Sequence, residues 1–382
     1  MVPNRQLRRA RLAALLGAQA AVAARGAEGL SITGLRTARL REPVSKRSYT
    51  VVRVETRSGL TGFGECGAVA DSELERAREV VLGQPATAYE VVHQALAGRG
   101  AIAAAMTLAL LDVVGRHAKA PVYQILGGPT RHKIRALTTL EGDSDRDLVA
   151  ALLRARAAGF RAVVVPLPTI RARIQGDAFV RATRRRLEAL SAESQDLDFV
   201  VDGGGALSPG DAARIAAVVE PFHPLWLDEP CPVANLQTIR KIADESVTPL
   251  GFGKTLTTAG AVQDLIREEV VGVLRPSLWH HGLIQVRRMA ALAETSYVAV
   301  SPHHEGGPIA TAAALHLAAC LPNFVIQHIP PATAAEDRRM RQAMTGTDLE
   351  VVRDGYAELP IGPGLGITVD ERALETYQEP AR

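Results

Sequence analysis

Cysteine is scarce in this 382-residue chain: Cys66, Cys231 and Cys320 lie far apart, with no C-x-x-C pair. That excludes a disulfide framework or a cysteine zinc cluster and leaves three small buried hydrophobes. Low-complexity sequence is absent as well. At 47% hydrophobic and 22% charged residues, the composition is that of a folded globular protein without extended disorder. Beyond residue 27 no apolar run reads as long and uninterrupted enough to span a membrane. Nor does any basic face argue for nucleic acid.

What basic excess there is sits at the start. Residues 1 to 27 carry Arg5, Arg8, Arg9, Arg11 and Arg25 and no acid. Without these five, 39 basic residues face 41 acidic ones, and the net charge moves from +3 to −2. Paired Arg8-Arg9 ahead of the apolar stretch Leu12 to Ala24 resembles a twin-arginine export signal. The expectation is an exported or periplasmic protein with this leader removed. The alternative is an Ala-rich amphipathic N-terminal helix on a cytoplasmic one.

The length suits two domains, or a barrel with an attachment. From residue 30 to about 70 the runs "SITGLRTARL" and "SYTVVRVETRSGLTGFGE" are strand-like, with Ser58-Gly59 as a hairpin turn. Helical stretches follow at 71–82, 85–97 and 101–118, the last closed by Gly115 and Pro121. After residue 134 short apolar runs alternate with amphipathic segments: "IRALTTL", "AVVVPL", "DFVVDGG", "LWLDEP", "TPLGFGKT", "VVGVLRPS", "VAVSPHH" and "FVIQHI". Eight such runs are what a parallel (β/α)8 barrel requires. A doubly wound sheet would need a Gly-rich first turn, which is missing.

Polar residues at the run ends keep time with the barrel. Asp202, Glu229, Lys254, Ser277, His303 and His328 follow one another at 27, 25, 23, 26 and 25 residues. A βα unit is about that long, so all six should meet at the C-terminal mouth, where barrel enzymes place their chemistry.

"VVRVETRSGLTGFGE", "LALLDVVGRHAKAPVYQILGG", "VDGGGALSPGDAARIA", "LWLDEP", "SPHHEGGPIATAAALHLAACLPNF" and "GPGLGITVD" resemble the enolase superfamily, in its mandelate racemase and sugar-acid dehydratase branch, in the family's order from residue 30 to 378. The resemblance implies an α+β capping domain (28–133), a modified TIM-type (β/α)8 barrel (134–355) and a C-terminal segment (356–382) returning to the cap. It also implies a reaction, in which a base removes the proton α to a carboxylate. A Mg²⁺ ion held by three strand-end carboxylates stabilises the enediolate. A small carboxylate or sugar acid is the implied partner, and relatives are commonly symmetric oligomers. The stretch from Glu65 to Gly100 looks abbreviated relative to the family, which should leave the pocket more open.

Position by position, the site departs from that pattern. Asp202 and Glu229 match the first two metal-ligand positions. The third, a glutamate after glycine in the family, is Lys254, and an ammonium cannot ligate Mg²⁺. His303 matches the seventh-strand histidine, but Ser277 stands where its orienting aspartate belongs. His328 replaces a glutamate that binds the substrate carboxylate in galactonate dehydratase-like relatives. Val164 and Pro166 stand where many relatives have second-strand lysines.

Three readings of Lys254 follow. It closes a structural salt-bridge triad with Asp202 and Glu229. Or it is a fixed cation replacing the ion, with His303 as base and Ser277 accepting a hydrogen bond from it. Or it is a Schiff-base lysine, which two acidic neighbours disfavour by keeping it protonated. His280 and His281 line the pocket with Trp279 or belong to a solvated loop. A transition-metal site from His280, His303, His304 and His328 is a further option. Function is therefore either α-proton abstraction from a hydroxy or sugar acid, leading to dehydration or epimerisation with little need of Mg²⁺, or a non-catalytic binding or structural role.

Overall fold

The computed structural model describes residues 28–379 except 171, 194, 195 and 331. The leader-like segment 1–27 lies outside the described residues. Strands β1 (Ile32–Arg41), β2 (Ser48–Thr56) and β3 (Thr61–Cys66) form an antiparallel sheet, with the turn at Ser58-Gly59 between β2 and β3. Helix Gly100–His117 lies across it. Gly62 and Gly64 of β3 make this approach possible, since a Cβ at either would strike the Ala109 or Ala105 carbonyl.

That helix is long and apolar enough by composition to cross a membrane, against the sequence expectation, yet 72% of it is buried in the protein. It also runs through Gly115 instead of stopping there. Gly115 is a contact residue: a Cβ would strike Gly364 and the Ala120 carbonyl.

The alternating region folds into a closed ring of eight parallel strands. These are β4 (Lys133–Thr139), β5 (Ala162–Pro166), β6 (Asp198–Asp202), β7 (Leu227–Asp228), β8 (Leu250–Phe252), β9 (Val273–Leu274), β10 (Ala299–Val300) and β11 (Gln327–His328). Each pairs with the next through β10, β11 pairs with β4, and a bridge between Val300 and Phe324 closes the ring. Apolar strands such as "AVVVP" are buried on both faces, as a parallel strand walled by helices must be. The fold is a modified TIM barrel under an N-terminal α+β cap.

Three ties hold cap to barrel. The buried Glu65 carboxylate accepts N–H bonds from Gly307 (2.5 Å) and Ala310 (3.2 Å) at the start of helix Pro308–Ala318. The segment between β1 and β2 is fastened to helix Ala335–Thr345: Val44 and Ser45 donate N–H to Asp337 at 2.8 and 2.9 Å, and Glu42 pairs with Arg341 at 2.7 Å. Finally the chain end meets the cap, where Gln378 bridges Leu40 and Glu379 N–H donates to the Arg39 carbonyl at 2.8 Å.

Candidate active site at the barrel mouth

Asp202 ends β6, Asp228 ends β7, and Lys254 follows β8, so three adjacent strands bring the three side chains together. Lys254 Nζ lies 2.7 Å from Asp202 Oδ2 and 3.0 Å from Asp228 Oδ2. The triad expected with Glu229 thus forms with its neighbour Asp228. Glu229 takes a left-handed backbone, φ 43°, a strained conformation for a non-glycine residue. Its Oε1 accepts the N–H groups of Gly253 and Lys254, both at 2.7 Å. It is therefore tied to the backbone that carries Lys254, with no ion pair to the ammonium itself.

Behind the triad stands Arg275, just past β9 and 1% exposed. Its Nε reaches Asp228 Oδ1 at 3.2 Å, its Nη1 donates to the Ser301 carbonyl at 3.0 Å, and its guanidinium lies over the Trp226 ring. Trp226 Nε1–H donates to Asp228 Oδ1 at 3.0 Å. Burial alone would push the Asp228 carboxyl up, but Arg275 and Lys254 outweigh it and bring it down to about 2. For Lys254 burial disfavours the charge, and Asp228 and Asp202 more than restore it, raising its pKa above the usual lysine value. The ammonium is held between two carboxylates, which disfavours the Schiff-base reading.

The opposite wall is imidazole. His303 stacks on His328 with ring centres 4.9 Å apart and planes 28° apart. His328 Nδ1 meets the His304 carbonyl at 3.1 Å, so it carries the proton, and Nε2 accepts from the Thr139 hydroxyl at 3.0 Å. His303 Nε2 is 3.3 Å from Glu305 Oε1, while its buried Nδ1 has no partner. Burial holds His303 and His328 well below the usual histidine pKa; Arg275 and Lys254 push both the same way, against Asp228 at His303, and the His303 charge adds to the effect on His328. Both rings are neutral bases. Ser277 does not orient His303: the two meet through a backbone bridge, and no hydrogen bond joins their side chains.

These walls enclose a cavity of about 470 Å³, lined by Asp202, Lys254, His303 and His328 from the barrel and by Arg47 and Ser48 from the cap. A neighbouring lobe of about 380 Å³ reaches Glu229, Ser277 and His280. Trp279 lines both lobes. His281 is buried against the Leu256 carbonyl at 2.8 Å, and burial lowers its pKa to about 4. His304 does not line either lobe, and among the described residues no three His, Cys, Asp or Glu side chains gather as a metal site. The four-histidine metal site is thereby corrected.

Sequence reasoning overlooked Asp228, Arg275, Thr139 and Arg47. Arg275 left a trace, a cation closing the apolar run "VVGVLRPS". Asp228 was masked by the adjacent Glu229, because a strand end carrying two carboxylates does not say which one turns inward.

The model of the mandelate racemase / muconate lactonizing enzyme N-terminal domain matches residues 33–127, and that of the enolase C-terminal domain-like unit matches residues 147–373. The chain belongs to the enolase superfamily. Members of the superfamily typically use Mg²⁺. A D-galactonate dehydratase family member of Streptomyces bingchenggensis is 29% identical over 380 residues, covering 88% of this chain and 91% of its own. The D-galactonate dehydratase of Ralstonia pickettii is 28% identical over 367 residues, covering 90% and 93%. Among solved structures, a mandelate racemase/muconate lactonizing enzyme from Sulfitobacter sp. superposes with a TM-score of 0.83 at 22% identity, covering 92% of this chain and 96% of its own.

Proposed function

We propose that this superfamily member removes the proton α to the carboxylate of a small hydroxy or sugar acid without Mg²⁺, using Lys254 as the electrophile and His303 as the base. The observation that carries this is their sharing of one cavity: a charged ammonium held by Asp202 and Asp228 faces the same space as a neutral imidazole. The galactonate dehydratases among its relatives support the substrate class.

The residues do not fit a magnesium ion. Mg²⁺ wants an octahedron of oxygens, whereas Lys254 Nζ fills the gap between the two aspartates and Glu229 Oε1 already accepts two N–H groups. In the proposed sequence the C2 proton passes to His303 and its electron pair becomes an enediolate beside the Lys254 ammonium, a preorganised cation where negative charge develops. In dehydration the C3–O bond then breaks, the hydroxyl takes the imidazolium proton and leaves as water, and the enol becomes a 2-oxo-3-deoxy acid. In epimerisation a water molecule gives a proton to C2 from the other face, and the resulting hydroxide takes the imidazolium proton.

One observation favours a non-catalytic binding role instead: the Lys254 charge is already balanced by two carboxylates. Proton NMR in D₂O on chelator-treated protein separates the two. The expected result is loss of the C2 proton signal from at least one acid, slowed about a hundredfold or more by His303→Asn and by Lys254→Met. Silence across a panel of hydroxy and sugar acids, with and without Mg²⁺, would leave the binding role standing. Exchange that appears only with Mg²⁺ would return the metal to the mechanism.

A further inference from the structure

Lys254 and His303 occupy one part of the cavity, and a further cation stands in another. Arg47 lines the same 470 Å³ space from the cap. Its Nη1 donates to the Pro330 carbonyl at 3.0 Å, and among the described residues its guanidinium makes no other hydrogen bond and no ion pair within salt-bridge distance. Lys254 and Arg275, the other cations of the mouth, are both paired with aspartates.

Its position follows from the ring. Arg47 shares its part of the cavity with Thr139, the last residue of β4, and with Pro330, just past β11, the first and eighth strands. Lys254 follows β8, the fifth. In a closed ring of eight, the fifth strand lies across from the first. The two cations therefore stand on opposite sides of one cavity. Arg47 is also held there, because the segment that carries it is fastened through Val44, Ser45 and Glu42 to helix Ala335–Thr345.

We propose that Arg47 binds a second anionic group at the end of the substrate remote from the reacting carboxylate, so that the site selects acids charged at both ends. A guanidinium with most of its N–H groups free is suited to a carboxylate or a phosphate, either of which it can grip with two parallel bonds. The acids that line the cavity's outer edge, Glu141 and Glu305, are exposed, and the buried Glu350, whose charge Arg47 feels, is already bound by Arg341 and Thr311. The assignment rests on the carboxylate end lying at Lys254, as argued above.

Calorimetric titration of the chelator-treated protein with galactonate, galactarate and 6-phosphogluconate tests it, alongside Arg47→Gln and Arg47→Lys. Wild type should bind at least one of the two doubly charged acids roughly tenfold tighter than galactonate, the worth of one charge-assisted contact. Arg47→Gln should erase that ratio while changing galactonate binding by less than about threefold, and Arg47→Lys should keep part of it. Which of the two binds tighter tells carboxylate from phosphate. Equal affinities in wild type overturn the proposal, as does a Gln variant that weakens all three acids alike. Deuterium exchange at C2 is read separately: an Arg47-dependent preference without exchange upholds this proposal and sinks the catalytic one, and no binding by any of the three sinks both.

Discussion

At the scale of single residues, the decisive fact is that Asp228 is fully buried between two cations while Asp202 keeps 23% of its side chain exposed. Removing a partner from a buried ion costs far more than removing one from an ion that water can reach. Lys254→Met should therefore destabilise the fold by about 3 kcal/mol, and Asp202→Asn by less than about 1 kcal/mol, both read by urea denaturation. Equal losses would mean that Arg275 alone satisfies Asp228. The Asp228 carboxyl, depressed to about 2, contributes stability that is present above the ordinary aspartate pKa and lost as pH falls toward 2. The positions of Lys254, His303 and His328 were legible in the spacing of run-end residues. Which carboxylate met the lysine was not, since it depends on one backbone angle at Glu229.

Among the elements, the segment between β1 and β2 matters most, because it carries Arg47 to the cavity. Its anchor is the Asp337 carboxylate, which accepts from Val44 and Ser45. Asp337→Ala should leave those two amides open to water and speed their hydrogen exchange, while the amides of β2 paired with β1 stay protected. Protection unchanged at Val44 and Ser45 would show that Glu42 and Arg341 hold the segment unaided. The eight parallel strands could be read from apolar runs, but the antiparallel pair Val352–Arg353 and Tyr356–Glu358 that extends the sheet beside β4 could not. The segment's tie to Asp337 could not, because 292 residues separate Ser45 from its partner and no local pattern encodes so distant a pairing. Helix ends were blurred for a related reason: the Gly115 that looks like a stop is a close contact with Gly364, visible only once the chain has folded back.

For the molecule as a whole, burial sets the response to acid. His281 and His316 are lowered to about 4, and His303, His304 and His328 lie well below the ordinary value. Below pH ~6.5 the unfolded chain takes up protons at these five that the native protein refuses. Stability is thus intact above that pH and lost as pH falls toward the native values, by about 1.4 kcal/mol per pH unit for each proton. Glu65 works in the opposite sense. Burial raises it to about 7, so its contribution is present below the ordinary glutamate pKa and lost as pH rises through about 7. His93 and His280 are lowered too, and Asp112, Glu229 and Glu350 are raised by burial as Glu65 is, so the lowered histidines outnumber the raised carboxyls and the melting temperature should fall from pH 6.5 to 5; a flat profile there would mean that these imidazoles gain charge in the folded state. The pairing of Gln378 and Glu379 with β1 bears on how the protein is made. β1 cannot complete this edge until Gln378 and Glu379, far downstream, have been translated, so that part of the cap waits on the barrel that follows it in the chain.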